Sequence, residues 1–347
     1  MGKNVTIYTI AKEAGVSAST VSRYLTGSAN VNEDKRVRIQ QVIDKYGFRP
    51  SAIARNLSTQ ETKMLGFIMP DVTSPFYGTV FIGAEKQAIE YGYTLVLCNT
   101  NNDNIVNNTR MELKYIETLL EKQVDGLIMI GGHIDDLNIQ QSYVDKLSKL
   151  LEDIPTVMIN GEINGLDCYK VKANESLGLH ALINYLVSLK HKKIGFIGGI
   201  SNIQPTLRRL NIIKEALAEN NLEFNDDWFI EDDFSIDAGK KCLEQLLQMK
   251  EKPTAVVCVN DLVAIGFIYA AKQFGLKIPE DISVAGVDNI YLSRYTIPNI
   301  TTVDLNPREL GSIAVDVLVK HLQNQSPKKE TILDTKLVIR ESCISNP

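Results

Sequence analysis

The stretch that decides the fold of the N-terminal region is residues 6–25, which read TIYTIAKEAGVSASTVSRYL. Gly15 is the kind of residue that ends a helix in the left-handed conformation, and Ser17 is a good N-cap for a second helix. Two short helices that meet at a glycine-containing turn describe a helix-turn-helix. The first helix is indicated by apolar residues at the spacing i, i+3, i+4 and i+7, which are Ile7, Ile10, Ala11 and Ala14.

The second helix, which we expect to end near Leu25, has two different faces. Val21 and Leu25 lie four residues apart, so they are predicted to pack on the first helix. The other face carries small side chains and one arginine, and arginine can read guanine in a major groove with two hydrogen bonds. The residues of this exposed face are Ala18, Ser19, Ser22 and Arg23.

A third helix is predicted over residues 32–46, with Asn32 as its N-cap and with Val37, Val42 and Ile43 closing a three-helix core. The segment that follows is too short to form a stable helix alone. We therefore predict a small all-α helix-turn-helix headpiece over 1–49, followed over 50–63 by a linker that could become helical on a surface.

Charge is distributed unevenly along the chain. The net charge is −5, but residues 1–60 carry nine Lys and Arg against four Asp and Glu, and the remainder carries 28 against 38. A basic N-terminal region followed by an acidic remainder predicts that only the N-terminal region binds phosphate groups.

Several protein classes are disfavoured by composition. The 347 residues exceed one compact core, and no apolar run approaches the roughly 20 residues of a membrane span. The N-terminus lacks a signal peptide, so we expect a cytoplasmic protein without a membrane partner. The five cysteines form no Cys-x-x-Cys and the four histidines show no metal spacing, so neither a metal site nor a cofactor is expected.

From Met64 the chain alternates between strand-like and helix-like segments. Continuous apolar strands that alternate with helices indicate parallel sheets covered on both faces. Two sets of strands imply two Rossmann-like lobes in residues 64–347, the first over about 64–161 and 290–323, the second over about 162–289 and 324–347. The predicted strands are 65–69, 94–98, 126–130 and 156–159, then 193–197, 255–259 and 282–287.

Ligands in such folds bind at the carboxyl ends of the strands, so the residues just after each strand are candidate contacts. Aromatic, amide, acidic and arginine side chains occur there, as a pocket for a polar small molecule needs. We expect Asp261 to cap the next helix and Asn260 to point into the cleft. The candidate stretches are 71–77, Asn160, 208–209, 231–234, 260–261 and 288–289.

The motifs of the chain resemble those of the lactose/galactose repressor family along nearly its whole length. In the headpiece and hinge they are AKEAGVS at 11–17, TVSR at 20–23 and PSAIARNL at 50–57. In the larger region they are VDGLI at 124–128, HKKIGFIGG at 191–199, PTAVVCVND at 253–261 and DISVAGVDN at 281–289. The resemblance implies a periplasmic-binding-protein-like (type I) core behind the helix-turn-helix.

For the DNA-binding part, the resemblance implies that Ala18, Ser19 and Arg23 face bases. It implies that residues 51–57 fold into a hinge helix only on operator DNA, where Leu57 wedges into the minor groove and Ala54 also contacts DNA. The residues implied to touch the DNA backbone or its margin are Thr6, Tyr8, Ser17, Thr20, Ser22 and Asn30.

For the larger region, the resemblance implies an effector cleft lined by Phe76, Tyr77, Asn160, Arg209, Phe234, Asn260 and Asp288. We expect a repressor that binds a near-palindromic operator in double-stranded DNA as a homodimer, under the control of a small polar effector. A sugar is the effector that we favour. A purine or nucleoside, or a protein co-regulator, is the alternative.

An enzyme on a doubly wound fold is the main competing class. The sequence has no Walker loop, no Gly-x-Ser-x-Gly and no Gly-x-Gly-x-x-Gly after the early strands. A solute-binding protein for a transporter would need an export signal and no helix-turn-helix. We therefore predict a regulator and not an enzyme. No leucine heptads follow the core, so we expect no tetramer.

Overall fold

The computed structural model describes residues 5–25, 31–48, 61–100 and 105–346, with the backbone alone at 105–110. The chain divides into two compact units, residues 1–62 and 63–347. Three predicted DNA contacts, Asn30, Ala54 and Leu57, lie outside the described residues.

The first unit contains the predicted helices α1 (Ile7–Ala14), α2 (Ala18–Leu25) and α3 (Glu33–Tyr46). Gly15 ends α1 in the left-handed conformation, with φ 66°. The Ser17 hydroxyl accepts a hydrogen bond from the Thr20 N–H at 3.2 Å, and Asn32 caps α3 through the Asp34 N–H at 3.0 Å. The short-range signals read from the sequence are confirmed here.

The three-helix core differs from the prediction at one residue. Val37 is 48% exposed, whereas Ile39 is fully buried. Residues two apart on a helix point about 200° away from each other, so the helix that buries Ile39 and Val42 must expose Val37. The other members of this core are Ile10, Ala11, Ala14, Val21 and Val31.

The second unit consists of two lobes, each built on a six-stranded sheet. Lobe 1 has the order β11-β5-β4-β3-β1-β2, and all of its paired strands are parallel. The strands of lobe 1 are β1 (Met64–Met69), β2 (Thr94–Asn99), β3 (Gly126–Ile130), β4 (Thr156–Ile159), β5 (Tyr169–Asn174) and β11 (Glu330–Asp334). The helices that follow its strands are α4 (Pro75–Glu90), α5 (Ile105–Glu121) and α6 (Gln141–Leu151).

Lobe 2 has the order β12-β10-β9-β8-β6-β7, in which only the β10–β12 pair is antiparallel. Its strands are β6 (Ile194–Ile197), β7 (Phe229–Ile230), β8 (Ala255–Cys258), β9 (Ser283–Val287), β10 (Thr301–Asp304) and β12 (Lys336–Val338). The remaining helices are α7 (Glu175–Ser188), α8 (Gln204–Glu219), α9 (Ile236–Gln248), α10 (Asp261–Gln273) and α11 (Pro307–Leu322). In the described part of the chain, no helix is both long enough and apolar enough to cross a bilayer.

The predicted lobe boundaries are wrong at three places. Strand β5 was assigned to lobe 2, but it pairs with β4 in lobe 1. Strand β10 was assigned to lobe 1, but it pairs with β9 in lobe 2. Strand β11, assigned to lobe 2, adds to β5 in lobe 1. The chain therefore crosses between the lobes after Asn174, after Asp304 and at Thr335, because strand pairing decides membership and sequence order does not.

Glycines allow one pair of helices in each lobe to pack at very short distance. In lobe 1, a Cβ at Gly83 of α4 would lie 1.9 Å from the Arg308 carbonyl oxygen, and one at Gly311 of α11 would lie 1.9 Å from that of Val80. In lobe 2, a Cβ at Gly266 of α10 would lie 1.8 Å from the Ile236 carbonyl oxygen. Backbone that approaches this closely excludes any side chain.

Candidate functional site

The predicted DNA-reading residues share one side of α2. Ser19 and Arg23 are exposed and Ala18 and Ser22 are half-buried, while Val21 on the opposite side is fully buried. The hydroxyl groups at the start of the helix are linked, because Ser17 Oγ lies 2.9 Å from Ser19 Oγ and 2.8 Å from Thr20 Oγ1. The helix thus presents short polar side chains and one guanidinium to solvent.

The two predicted backbone contacts on α1 lie at its N-terminus. Thr6 is the N-cap, and its hydroxyl accepts a hydrogen bond from the Thr9 N–H at 3.4 Å. Tyr8 is 72% exposed. The backbone amides that follow Thr6 and the hydroxyl group of Tyr8 are therefore placed where they could bind a DNA phosphate.

In the second unit, Arg209 lies at the centre of a buried charged cluster at the junction of the lobes. Its Nη2 atom is 3.1 Å from Glu175 Oε1 and 3.6 Å from Asp288 Oδ1. Its Nη1 donates to the carbonyl oxygen of Val259, the residue that follows β8. The prediction placed Arg209 and Asp288 at one site, and the fold brings them together.

Arg208, the neighbouring arginine, connects the two lobes. Its Nη2 lies 3.2 Å from Glu175 Oε1, and its Nη1 donates to the Asn160 carbonyl oxygen at 3.4 Å. A second contact between the lobes is the hydrogen bond from the Leu137 N–H to the Asn202 carbonyl oxygen, at 3.0 Å. The lobes therefore touch at two places, of which one, the Arg208–Asn160 contact, belongs to this cluster.

The environment separates the acidities of the two carboxylates beside Arg209. Burial opposes the ionisation of Glu175, but the charges of Arg209 and Arg208 and their hydrogen bonds outweigh it and lower its pKa to about 2. Burial raises the pKa of Asp288 to about 7 against the attraction of Arg209. Glu175 is thus the permanent anion, and Asp288 is the group whose hydrogen bonding is open to change.

The lobe 1 side of the junction is formed by Phe76, Tyr77 and Asn160. Phe76 packs against the hydrophobic cores of both lobes. Burial raises the pKa of the Tyr77 hydroxyl, and the charges of Asp135 and Asp288 add to the effect. Asn160 follows β4 with φ 56°, and its Oδ1 accepts the Ala173 N–H at 2.8 Å.

The roles expected for Asn260 and Asp261 must be corrected. Asn260 is the N-cap of α10, since its Oδ1 accepts the Val263 N–H at 2.8 Å. Its Nδ2 donates to the Phe234 carbonyl oxygen at 2.9 Å, so both polar ends of this side chain are engaged within lobe 2. Half-buried Phe234 packs against the lobe 2 core.

Asp261, expected to be the cap, is fully buried and holds the segment that carries Asp288. Its Oδ2 accepts the Ile290 N–H at 2.8 Å and its Oδ1 accepts the Thr302 hydroxyl at 2.6 Å. Asp288 itself has φ 106°, a backbone conformation that is rare for residues other than glycine. The buried carboxylate and the strained backbone together fix where Asp288 points.

Two residues of the junction were missed by sequence reasoning. Glu175 follows the N-cap Asn174 of α7, and its sequence context resembles that of any first-turn acid. Asp135 follows β3, so the rule that ligands bind after the strands could have found it. Among the described residues, no group of three or more His, Cys, Asp or Glu side chains could hold a metal ion.

Comparison with protein families gives two matches. Residues 6–51 match the model described as bacterial regulatory proteins, lacI family. Residues 183–343 match the model of a periplasmic binding protein-like domain.

Relatives match nearly the whole chain. The HTH-type transcriptional repressor PurR of Photobacterium profundum is 32% identical over 97% of this chain and 98% of its own length. The ribose operon repressor of Haemophilus influenzae is 32% identical over 98% of this chain and 99% of its own length. Catabolite control protein A of Priestia megaterium is 31% identical over 98% of this chain and 99% of its own length.

Solved structures agree on the fold. The lac repressor dimer bound to operator and the anti-inducer ONPF has a TM-score of 0.86 at 23% identity, covering 99% of this chain and 100% of that one. The transcription regulator CcpA of Lactococcus lactis has a TM-score of 0.70 at 28% identity, covering 81% and 98%.

Proposed function

This chain belongs to the lacI family of bacterial regulatory proteins and is a DNA-binding transcriptional repressor, and we propose that a neutral sugar bound between its lobes controls it. The predicted fold class, a helix-turn-helix headpiece with a two-lobed periplasmic-binding-protein-like region, is confirmed. The relatives are regulators rather than enzymes, in agreement with the prediction.

The observation that carries the proposed effector class is the Arg209–Asp288 pair at the junction. Arg209 keeps Glu175 as its permanent partner, while Asp288 approaches Arg209 only at 3.6 Å. An apolar ligand would leave such groups without hydrogen-bond partners, which would weaken the binding free energy by about 1–3 kcal/mol for each group. An anionic ligand would be repelled by Asp288. A neutral sugar both donates and accepts at each hydroxyl, so it suits this environment.

A purine is the second candidate effector. The PurR relatives support it, since their identity to this chain equals that of the ribose operon repressor. A purine has both donors and acceptors and could also meet Asp288. A protein co-regulator is the third candidate, which the similarity to catabolite control protein A keeps open.

The proposed partners are double-stranded operator DNA and a second copy of the chain. One headpiece reads few base pairs, so a near-palindromic operator and a homodimer follow from twofold symmetry. Such a repressor would act in the cytoplasm, where bacterial DNA lies. Lobe 2 carries several exposed large apolar side chains that suit self-association, namely Tyr269, Phe274, Tyr291, Tyr295 and Ile297.

Calorimetry across a panel of sugars and purines tests the effector proposal. Asp288→Ala should weaken binding of the best ligand, whereas the exposed control Asp227→Ala should not. The ligand should also change the affinity for an operator selected from random duplexes, because coupling between the two sites is reciprocal. A ligand that binds the Asp288 variant as tightly as wild type, or leaves operator affinity unchanged, would exclude this cleft as the regulatory site.

A further inference from the structure

Asp135 is a second acidic side chain at the junction of the lobes, contributed by lobe 1. It ends a short 3-10 helix, Gly132–Asp135, that follows β3. Its Oδ1 lies beside Gly161, where an added Cβ would be 3.3 Å away. Because β3 and β4 are parallel neighbours, Asp135 and Asn160 share the carboxyl edge of the lobe 1 sheet.

The Asp135 carboxylate is not engaged by any other side chain or backbone group that the structure describes. In the part of the chain that the structure describes, it accepts no hydrogen bond and forms no ion pair within 4.0 Å. Burial raises the pKa of Asp135 to about 7, although Arg208 attracts its charge. Asp135 is half-buried, so its carboxylate is partly shielded from water and yet receives no donor from the described protein, which leaves it open to a donor from a ligand.

The segment that carries Asp135 is held firmly. Buried Glu112 of α5 accepts a hydrogen bond from Tyr143 of α6 and lies against Gly132, whose added Cβ would be 2.9 Å from its Oε2. His133 Nδ1 lies 2.5 Å from Asp136 Oδ2. The next residue, Leu137, makes the hydrogen bond to lobe 2 noted above. Asp135 is therefore presented by a rigid support rather than by a free loop.

Asp135 and Asp288 act on common neighbours from opposite lobes. Both interact electrostatically with Arg209 and with Glu175, and both interact with the Tyr77 hydroxyl. The two carboxylates thus flank one space, whose lobe 1 wall includes Tyr77 and whose lobe 2 wall includes Arg209.

We propose that Asp135 is an effector-binding residue that accepts a hydrogen bond from a hydroxyl or N–H group of the ligand, opposite Asp288. This rests on the proposed function and narrows the effector class. The ligand must offer donors on two opposite edges, one for each lobe, as a polyhydroxylated sugar does. A phosphorylated ligand is less well suited, because two acidic side chains, Asp135 and Asp288, would face its charge.

The test compares wild type, Asp135→Asn and the exposed control Asp153→Asn by thermal unfolding at pH 8. Each protein is measured alone and with D-ribose, cellobiose or hypoxanthine. Without ligand, Asp135→Asn should unfold about 2–4 °C higher than wild type at this pH, since it removes a half-buried charge whose pKa its surroundings raise to about 7. Asp153→Asn should match wild type.

With the compound that stabilises wild type, Asp135→Asn should show little or no shift, and calorimetry should give a Kd weaker by about 10–100-fold. Equal binding by wild type and Asp135→Asn would overturn the proposal. So would a ligand-free variant that unfolds at or below the wild-type temperature, since the carboxylate would then serve the fold. If no compound shifts wild type, the proposed effector classes fail, and the ligand-free comparison alone decides whether Asp135 is held at the expense of stability.

Discussion

The Glu175 carboxylate lies 3.1 Å from the Arg209 guanidinium in a buried ion pair at the junction of the two lobes. The same carboxylate holds Arg208 at 3.2 Å. One anion thus keeps two cations in place, and Arg208 reaches across to Asn160 of lobe 1. The pair positions the basic side of the proposed effector cleft.

Glu175→Gln should strongly destabilise the protein. The substitution leaves Arg209 buried without its permanent counter-ion, and breaking a buried pair from one side removes about 3–5 kcal/mol. Urea unfolding measures the free energy. Exposed Glu223→Gln serves as the matched control and should change it by less than about 0.5 kcal/mol. Equal stabilities of the two variants would contradict the role given to Glu175.

The stability of the protein should fall as pH rises toward neutrality. The pKa of Asp288 is raised to about 7 in the folded state, from about 4 for an ordinary aspartate, so the folded state holds this proton more tightly. Its contribution is fully present below about pH 4 and is lost as pH passes about 7. The groups that face it are Arg209, Glu175, Asp261 and Tyr77.

Asp288→Asn isolates this contribution, because the variant lacks the titrating group. Between pH 5 and pH 8, wild type should lose about 2–3 kcal/mol more unfolding free energy than the variant. Parallel pH curves for the two proteins would show that Asp288 has an ordinary pKa.

Gly83→Ala should destabilise lobe 1, whereas Gly78→Ala on the same helix should not. The added methyl at Gly83 would lie 1.9 Å from a backbone oxygen of α11, so the helices must separate. Overpacking of this kind lowers the free energy of unfolding by about 1–3 kcal/mol. At Gly78 the nearest atom is at 3.6 Å, and alanine favours a helix by up to about 1 kcal/mol. Thermal unfolding of both variants tests the contrast.

Arg23→Ala should weaken operator binding by about 1–3 kcal/mol while leaving binding to random duplex unchanged. Arg23 is the charged residue on the exposed side of α2. Fluorescence anisotropy on both duplexes measures the difference, with Arg38→Ala on α3 as the control. Equal losses on the two duplexes would mean that Arg23 contacts only phosphate.

Ile297→Glu should weaken the proposed dimer. Ile297 is 94% exposed and Tyr295, two residues before it, is 79% exposed, so they are the most accessible large apolar side chains among the described residues of lobe 2. A buried glutamate at an interface lacks a partner. Light scattering should show a larger monomer fraction for this variant than for Ile332→Glu, which places the same charge on the outer strand β11 of lobe 1. A wild-type monomer at micromolar concentration would refute the assembly itself.

The sequence alone was enough to predict the helices of the headpiece and those strands of the two lobes that are followed by helices. Gly15, Ser17 and Asn32 act within a few residues of their own position, so their roles could be read directly. The error at Val37 arose within a helix whose face is set by its neighbours. Residues after the strands were also predictable as cleft candidates, because parallel sheets align their carboxyl ends.

Only the tertiary structure decided which lobe each late strand joins and what the polar residues of the junction do. Strands β5, β10 and β11 were placed in the wrong lobe because pairing depends on partners far away in the sequence. Asn260 and Asp261 are adjacent in sequence, yet one caps a helix and the other buttresses a loop near residue 290. Glu175 gains its role from two arginines more than thirty residues away. Local spacing encodes caps and turns, whereas ion pairs and sheet order form only when the folded chain brings distant residues together.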